Sequence, residues 1–372
     1  MTNFIPVNEP VIGLREKQLV KECLDTGWIS SEGPFVSQFE DAFSTRVERT
    51  YGVACSNGSA ALDIAIAALG IGPGDEVIMP TFTIISCAAS IVRAGAKPVL
   101  VDADQGTWNM DPECVASAIT TKTAAIMVVH IYGLPVEMDP ILRLAEEHSI
   151  PIIEDAAELI GGSYKNKPCG SFGKISTFSF YPNKHITTGE GGMVVTDDKV
   201  LAERCRSLRN LCFQANKRFI HEDLGWNYRM TNLQAALGLG QLERLDESLQ
   251  RKREIGLRYQ EAFQSYSALQ LPIPVTEYAE NYFWVYGLIW RKSNNSASDI
   301  MKRLSAVGIG TRPFFYPIHK QPVFQKLGMF NSTKAPISEN LAAQGFYIPS
   351  GLAISNEQID RVIHEVITIV NE

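Results

Sequence analysis

Ser176-Thr-Phe-Ser-Phe-Tyr-Pro-Asn-Lys184-His-Ile-Thr-Thr-Gly-Glu-Gly-Gly192 is an apolar run that stops at Tyr181-Pro182, turns through a lysine and returns through glycines. Proline cannot donate to a ladder, so the strand expected over Ser176–Phe180 ends there. The glycines at 189, 191 and 192 allow φ > 0 and close approach of backbone to a ligand, although alone they need only close a hairpin. A lysine on such a rim is, by itself, an ordinary solvated residue. Upstream, Pro151-Ile-Ile-Glu-Asp155-Ala-Ala-Glu158 has a related form: an apolar run leads straight into acids at a strand end. Acids there often only cap the following helix. Earlier still, Cys55-Ser-Asn-Gly-Ser59-Ala-Ala-Leu passes from a strand into small residues that open a helix.

Outward from these stretches, the pattern between residues 50 and 200 alternates. Strands are expected at Gly52–Ser56, Glu76–Pro80, Pro98–Asp102, Ala124–His130, Pro151–Asp155, Ser176–Phe180 and Gly192–Thr196. Helices are expected at Ser59–Leu69, Thr83–Ala94, Pro112–Ile119 and Met138–His148. Alternation with uninterrupted, β-branched strands implies an α/β fold with a mostly parallel sheet covered on both faces. A long Leu-rich, charged helix over Asn232–Gln264 reads as a spine between domains. Beyond it, a strand at Phe283–Trp290 and helices at Ser298–Val307 and Asn356–Val370 imply a small α+β domain. The expected division is 1–250 for a large domain with the N-terminal segment and 251–372 for a small C-terminal one.

In parallel sheets ligands sit beyond the carboxyl ends of the strands. That rule selects Ser56–Ser59, Pro80–Thr83, Asp155–Glu158 and the turn after Phe180. A lysine and an acid at two such ends are what pyridoxal phosphate (PLP) requires: an amine to carry the cofactor and a carboxylate beside its ring nitrogen. Free N–H groups at the helix start after Cys55, with Ser and Asn side chains, suit a phosphate dianion. No Walker loop and no GxGxxG is present, so a nicotinamide dehydrogenase fits the alternation but lacks its fingerprint.

The ordered set continues with Gly225-Trp-Asn-Tyr-Arg-Met-Thr231, and with Trp28–Pro34, Gly70–Ile78 and Thr311-Arg-Pro-Phe-Phe-Tyr-Pro-Ile-His319. Over nearly the whole chain it resembles the DegT/DnrJ/EryC1/StrS family of PLP-dependent sugar aminotransferases. The resemblance implies an aspartate-aminotransferase-type fold (fold type I), with a large domain built on a mostly parallel seven-stranded sheet plus the small C-terminal domain. It implies Lys184 as the Schiff-base lysine and Asp155 as the acid at the pyridinium nitrogen. Glu158 falls beside the cofactor's 3-oxygen, and Gly58, Ser59 and Ser179 at its phosphate. Asn227 reaches that phosphate from a partner subunit, so a homodimer with shared active sites is expected. Arg312, Tyr316 and His319 match a segment lining the nucleotide-sugar pocket. Ile84 stands where the family usually stacks an aromatic on the cofactor ring. Some relatives carry histidine instead of the lysine and are dehydratases; here His185 is one residue later. The Trp28–Pro34, Glu154–Glu158 and Thr311–His319 segments are most similar to members that aminate GDP-4-keto-6-deoxymannose to GDP-perosamine, with L-glutamate as the expected donor. The in-family alternative is a UDP- or dTDP-linked 4-keto sugar.

Composition sets the outer bounds. The 372 residues are 45% hydrophobic and 20% charged, with a net charge of −7. This is a normal globular balance without the basic stripe that nucleic acid would demand. The seven cysteines are scattered and include no CxxC pair, so neither a zinc site nor a disulfide framework is expected. No apolar stretch is long enough to span a bilayer, and the N-terminus has no basic, apolar leader. A cytoplasmic protein without a membrane partner is expected.

Overall fold

The computed structural model describes residues 4–214, 216–292 and 296–372. Its main sheet contains β1 (Tyr51–Cys55), β2 (Glu76–Pro80), β3 (Lys97–Val101), β4 (Thr123–Val129) and β5 (Ile152–Asp155). A two-residue hairpin, β6 (Ser163–Tyr164) and β7 (Lys167–Pro168), precedes its last strands, β8 (Ile175–Ser179) and β9 (Gly192–Thr196). The seven strands run in the order β1-β9-β8-β5-β4-β2-β3. β9 is antiparallel to both neighbours, and the remaining pairings are parallel. The parallel strands therefore end on one edge, where the site is assembled.

Side-chain alternation divides two apolar cores between the faces of this sheet. Val53, Met127 and Ile153 face the helices Gly58–Ala68 and Ile85–Arg93. Their neighbours Ala54, Val128 and Ile152 face the helices Pro34–Arg46 and Asn232–Leu242. Complete burial of such a side chain stabilises by roughly 1.5–3 kcal/mol, which is why both faces must be covered. The helix Gly58–Ala68 begins where Asn57 Oδ1 accepts from the Ala60 N–H at 2.8 Å.

Each expected strand and helix of the large sheet exists, with ends displaced by a residue or two. The chief correction concerns the spine. Asn232–Gln264 is two helices, Asn232–Leu242 and Leu245–Phe263, broken at Glu243-Arg244. Leu245 and Leu249 join the large core, whereas Ile255, Tyr259 and Phe263 join the C-terminal one. The second helix thus links both cores, and residue 250 lies inside it. The expected strand at Phe283 starts only at Tyr286, because Phe283 takes a left-handed backbone with φ 48°.

The C-terminal sheet has the order β10 (Leu269–Gln270), β11 (Tyr286–Trp290), β13 (Gly345–Ile348), β12 (Arg312–Pro313). Its core includes Tyr286, Phe346 and residues of the helices Ala297–Ala306 and Asn356–Asn371. Ile5 belongs to this core and bridges Ile309, so the start of the chain packs on its end. Conversely, Trp284 and Phe314 pack into the large core. Among the described residues, no helix is long and apolar enough to cross a membrane.

Candidate active site

A cavity of about 540 Å³ opens at the carboxyl ends of β5 and β8 and at the start of the helix Gly58–Ala68. Gly58, Ser59, Ile84, Asp155, Glu158, Ser179 and Lys184 all line it. Residues spread over more than a hundred positions converge because the parallel strands end on one edge.

Lys184 is placed by the turn after β8, where its N–H donates to the Tyr181 carbonyl at 2.9 Å. Its Nζ stands 3.6 Å from the centroid of the Trp284 ring. Burial pushes this amine below its ordinary 10.5, while the carboxylates of Glu158 and Asp155 oppose the shift. Asp155 is buried at the end of β5, where its Oδ1 accepts from the Ala157 N–H at 3.1 Å and its Oδ2 from the Cys87 thiol at 3.4 Å. Burial pushes its carboxyl above the ordinary range. Glu158 Oε2 accepts from the Tyr132 N–H at 2.9 Å, and burial raises its carboxyl to about 7.

These residues fit pyridoxal phosphate. Asp155 is a buried acid with no ion pair among the described residues, a site that a pyridinium would complete. The N–H groups of Gly58 and Ser59, at the first turn of their helix, have no intrahelical acceptors and point to the anion end. Gly58 sits so close to Ser179 that a Cβ would lie 2.7 Å from the serine's own. This glycine keeps the cradle open. Ser59 Oγ is 2.7 Å from Ser86 Oγ. Gly189 supplies the left-handed residue, φ 79°, in the return from Lys184 to β9.

Other expected site residues lie elsewhere. Asn227 is exposed and bridges Asn210 outside this cavity. Arg312 is exposed on β12, and Tyr316 is 55% exposed; neither lines the cavity. His319 is buried, with Nδ1 2.8 Å from Thr81 Oγ1 and Nε2 3.0 Å from Glu339 Oε1. It clamps the Thr311–His319 segment onto the end of β2, and that segment contributes Phe315 to the cavity instead. His185 is buried away from the cavity, and burial pushes its imidazole well below 6.5.

Ser86, Trp284, Phe315 and Tyr347 line the cavity without having been singled out from the sequence. Ser86 and Phe315 sit within or beside recognised segments. Trp284 and Tyr347 carry no local signal, since only the packing of the C-terminal sheet against the large one brings them in.

Comparison with known proteins agrees with this geometry. The chain is 42% identical to GDP-perosamine synthase of Escherichia coli O157:H7 over 358 residues, 96% of each chain. It is 43% identical to GDP-perosamine synthase of Caulobacter vibrioides, again over 96% of both. Among solved structures, Spr1654 of Streptococcus pneumoniae in its PMP form superposes with a TM-score of 0.92 at 27% identity, covering 99% of this chain and 98% of that one. That protein is also known in a PLP form. Residues 10–367 match the DegT/DnrJ/EryC1/StrS aminotransferase family. The chain belongs to that family and is an aminotransferase whose cofactor is pyridoxal phosphate.

Proposed function

We propose that the chain transfers an amino group from L-glutamate to C4 of GDP-4-keto-6-deoxymannose, giving GDP-perosamine. The observation that carries this reading is the 42–43% identity, over 96% of the chain, to two GDP-perosamine synthases. The cavity supports the chemistry. Bound pyridoxal phosphate supplies an electron sink for the charge that develops at the carbon bearing the amino group.

Lys184 is the residue that carries the cofactor. Freed from it, the lysine Nζ would serve as base and then acid, delivering a proton to C4 of the sugar. Asp155, held in place by the Ala157 N–H, keeps the ring nitrogen protonated. Glu158 would meet the 3-oxygen, and the helix start at Gly58–Ser59 with Ser179 would hold the phosphate. Ile84, at the cavity wall, packs as an aliphatic group where relatives stack an aromatic.

A homodimer completes the site. Phe219, Ile220 and Leu224 are exposed at 81%, 59% and 93%, three large apolar side chains within a charged segment. Asn227 lies three residues beyond Leu224 and is exposed, so in this reading a second copy that covers these side chains takes Asn227 at its own phosphate. In this reading Arg312, paired with Tyr347 of the cavity wall, and Tyr316, next to Phe315, contact the diphosphate and sugar, with His319 holding their segment.

The test is direct competition between GDP-, UDP- and dTDP-linked 4-keto-6-deoxy sugars with glutamate, comparing kcat/KM. Preference for the GDP sugar is expected. A preference of more than about tenfold, roughly 1.4 kcal/mol, for another base rejects the substrate and leaves the amination intact.

A further inference from the structure

The Trp284 indole faces the amine of Lys184 at 3.6 Å, and it is anchored at both ends. Its Nε1–H donates to the Asn183 carbonyl at 2.8 Å, the residue before the lysine. Its own carbonyl accepts from the buried Nζ of Lys252 at 2.8 Å, and the same Nζ donates to the Ser350 carbonyl at 2.6 Å. The ring is thereby tied to the lysine's own turn, to the helix Leu245–Phe263 and to the segment after β13. We infer that the face of Trp284 is the seat on which the Lys184 amine rests whenever it is free of the cofactor, and that this seat helps set how tightly the lysine holds its proton. This rests on Lys184 being the cofactor lysine, as proposed above.

The physical case is one of competing neighbours. Asp155 and Glu158 face the amine from the end of β5, and Cys87 from the helix Ile85–Arg93. His185 lies next in the chain, Lys252 at the Trp284 carbonyl, and Tyr347 and Glu190 line the same cavity. Burial disfavours the ammonium, and the two carboxylates favour it. With cofactor bound, those carboxylates have other partners in the proposed arrangement, Asp155 at the ring nitrogen and Glu158 at the 3-oxygen. The aromatic face then remains as a neighbour that attracts a cation through its quadrupole and does not itself titrate. A carboxylate in that place would hold the ammonium in an ion pair. An indole face steadies it and lets it give up the proton. Trp284 acts through Lys184 as a positioning residue.

The experiment measures the proton affinity of Lys184 itself. Holoenzyme loaded with pyridoxamine phosphate leaves the lysine free, and trace labelling with acetic anhydride across pH, read by peptide mass, gives its titration midpoint. Trp284→Leu retains apolar cover and removes the quadrupole. Its midpoint should fall by about one unit, with roughly tenfold more label below both midpoints. Trp284→Phe should fall by a smaller amount, and both should lower kcat more than they change KM. Borohydride reduction and peptide mapping of the PLP-loaded wild type tests the underlying reading separately, because a tag on another lysine would overturn that reading whatever the labelling shows. Should the leucine variant fail to fold, Trp284→Phe decides. A midpoint unmoved in the folded variant overturns the seat.

Discussion

Glu154 and Asp155 are adjacent on β5, yet their carboxylates serve opposite faces of the sheet. Asp155 lines the cofactor cavity. Glu154 points to the other side, where Oε1 is 3.0 Å from His130 Nε2 and accepts from the Gly170 N–H at 2.5 Å. Its Oε2 accepts from Phe172 N–H, Gly173 N–H and Ser176 Oγ at 2.9, 3.0 and 3.2 Å. Burial pushes the Glu154 carboxyl up, but His130 and these donors outweigh it and hold the group below its ordinary 4.5. His130, Glu154 and Cys169 come close enough to suggest a metal. The carboxylate oxygens are already committed to the loop before β8, so the cluster reads as a buried brace.

The two acids should therefore fail differently. Asp155→Asn is expected to lower kcat by roughly 10²–10³-fold with little change in the urea midpoint. Glu154→Gln should destabilise by on the order of 2–5 kcal/mol. Because the folded Glu154 pKa is depressed, its contribution is present above the unfolded value and fades as pH falls, so the deficit of the glutamine variant should shrink in acid. Equal loss of activity and stability in both variants would refute this division.

Lys184→Ala should abolish turnover while the protein still takes up cofactor non-covalently through the helix start at Gly58. Absorbance of the dialysed, cofactor-loaded variant checks retention, and mass analysis of the sugar product checks turnover. Residual transamination near the wild-type rate would remove Lys184 from the mechanism.

Glu158 sets a pH signature in the cofactor-free protein. Its carboxyl titrates near 7 when folded, against 4.5 ordinarily. Between those values the unfolded chain releases this proton and the folded chain keeps it, so stability falls as pH rises through the window and levels above it. Lys184, whose folded pKa is depressed, adds the opposite slope toward 10.5. Glu158→Gln should flatten the lower window. Urea midpoints at about pH 5 and about pH 8 measure it, and an unchanged slope would assign the proton elsewhere.

Asn227 should act across a subunit boundary. Lys184→Ala and Asn227→Ala protomers, each weak alone, should recover toward about a quarter of wild-type activity when mixed and exchanged, because half the sites in each mixed dimer are intact. No recovery despite exchange proven by native mass spectrometry would mean that each site is built within one chain.

The layered sheet was legible from residue patterns, since β-branched runs such as Ile152-Ile153 and Val128-Val129 allow few other burials. The sequence also pointed to the strand ends that line the cavity, because Lys184, Asp155 and Gly58–Ser59 each lie within a few residues of the end of a predicted strand, and parallel strands release such residues on one edge. Packing fixed the rest. The pattern of residues 151–158 does not separate Glu154 from Asp155; the family resemblance chose Asp155, and the physical reason is the pleat and the sheet face that the helix Gly58–Ala68 covers. His319 became a clamp because Thr81 and Glu339, distant in the chain, meet its two nitrogens. Trp284 reached Lys184 through a contact spanning a hundred residues. Local periodicity reports which side of an element is buried; it carries no information on which distant residue will press against it.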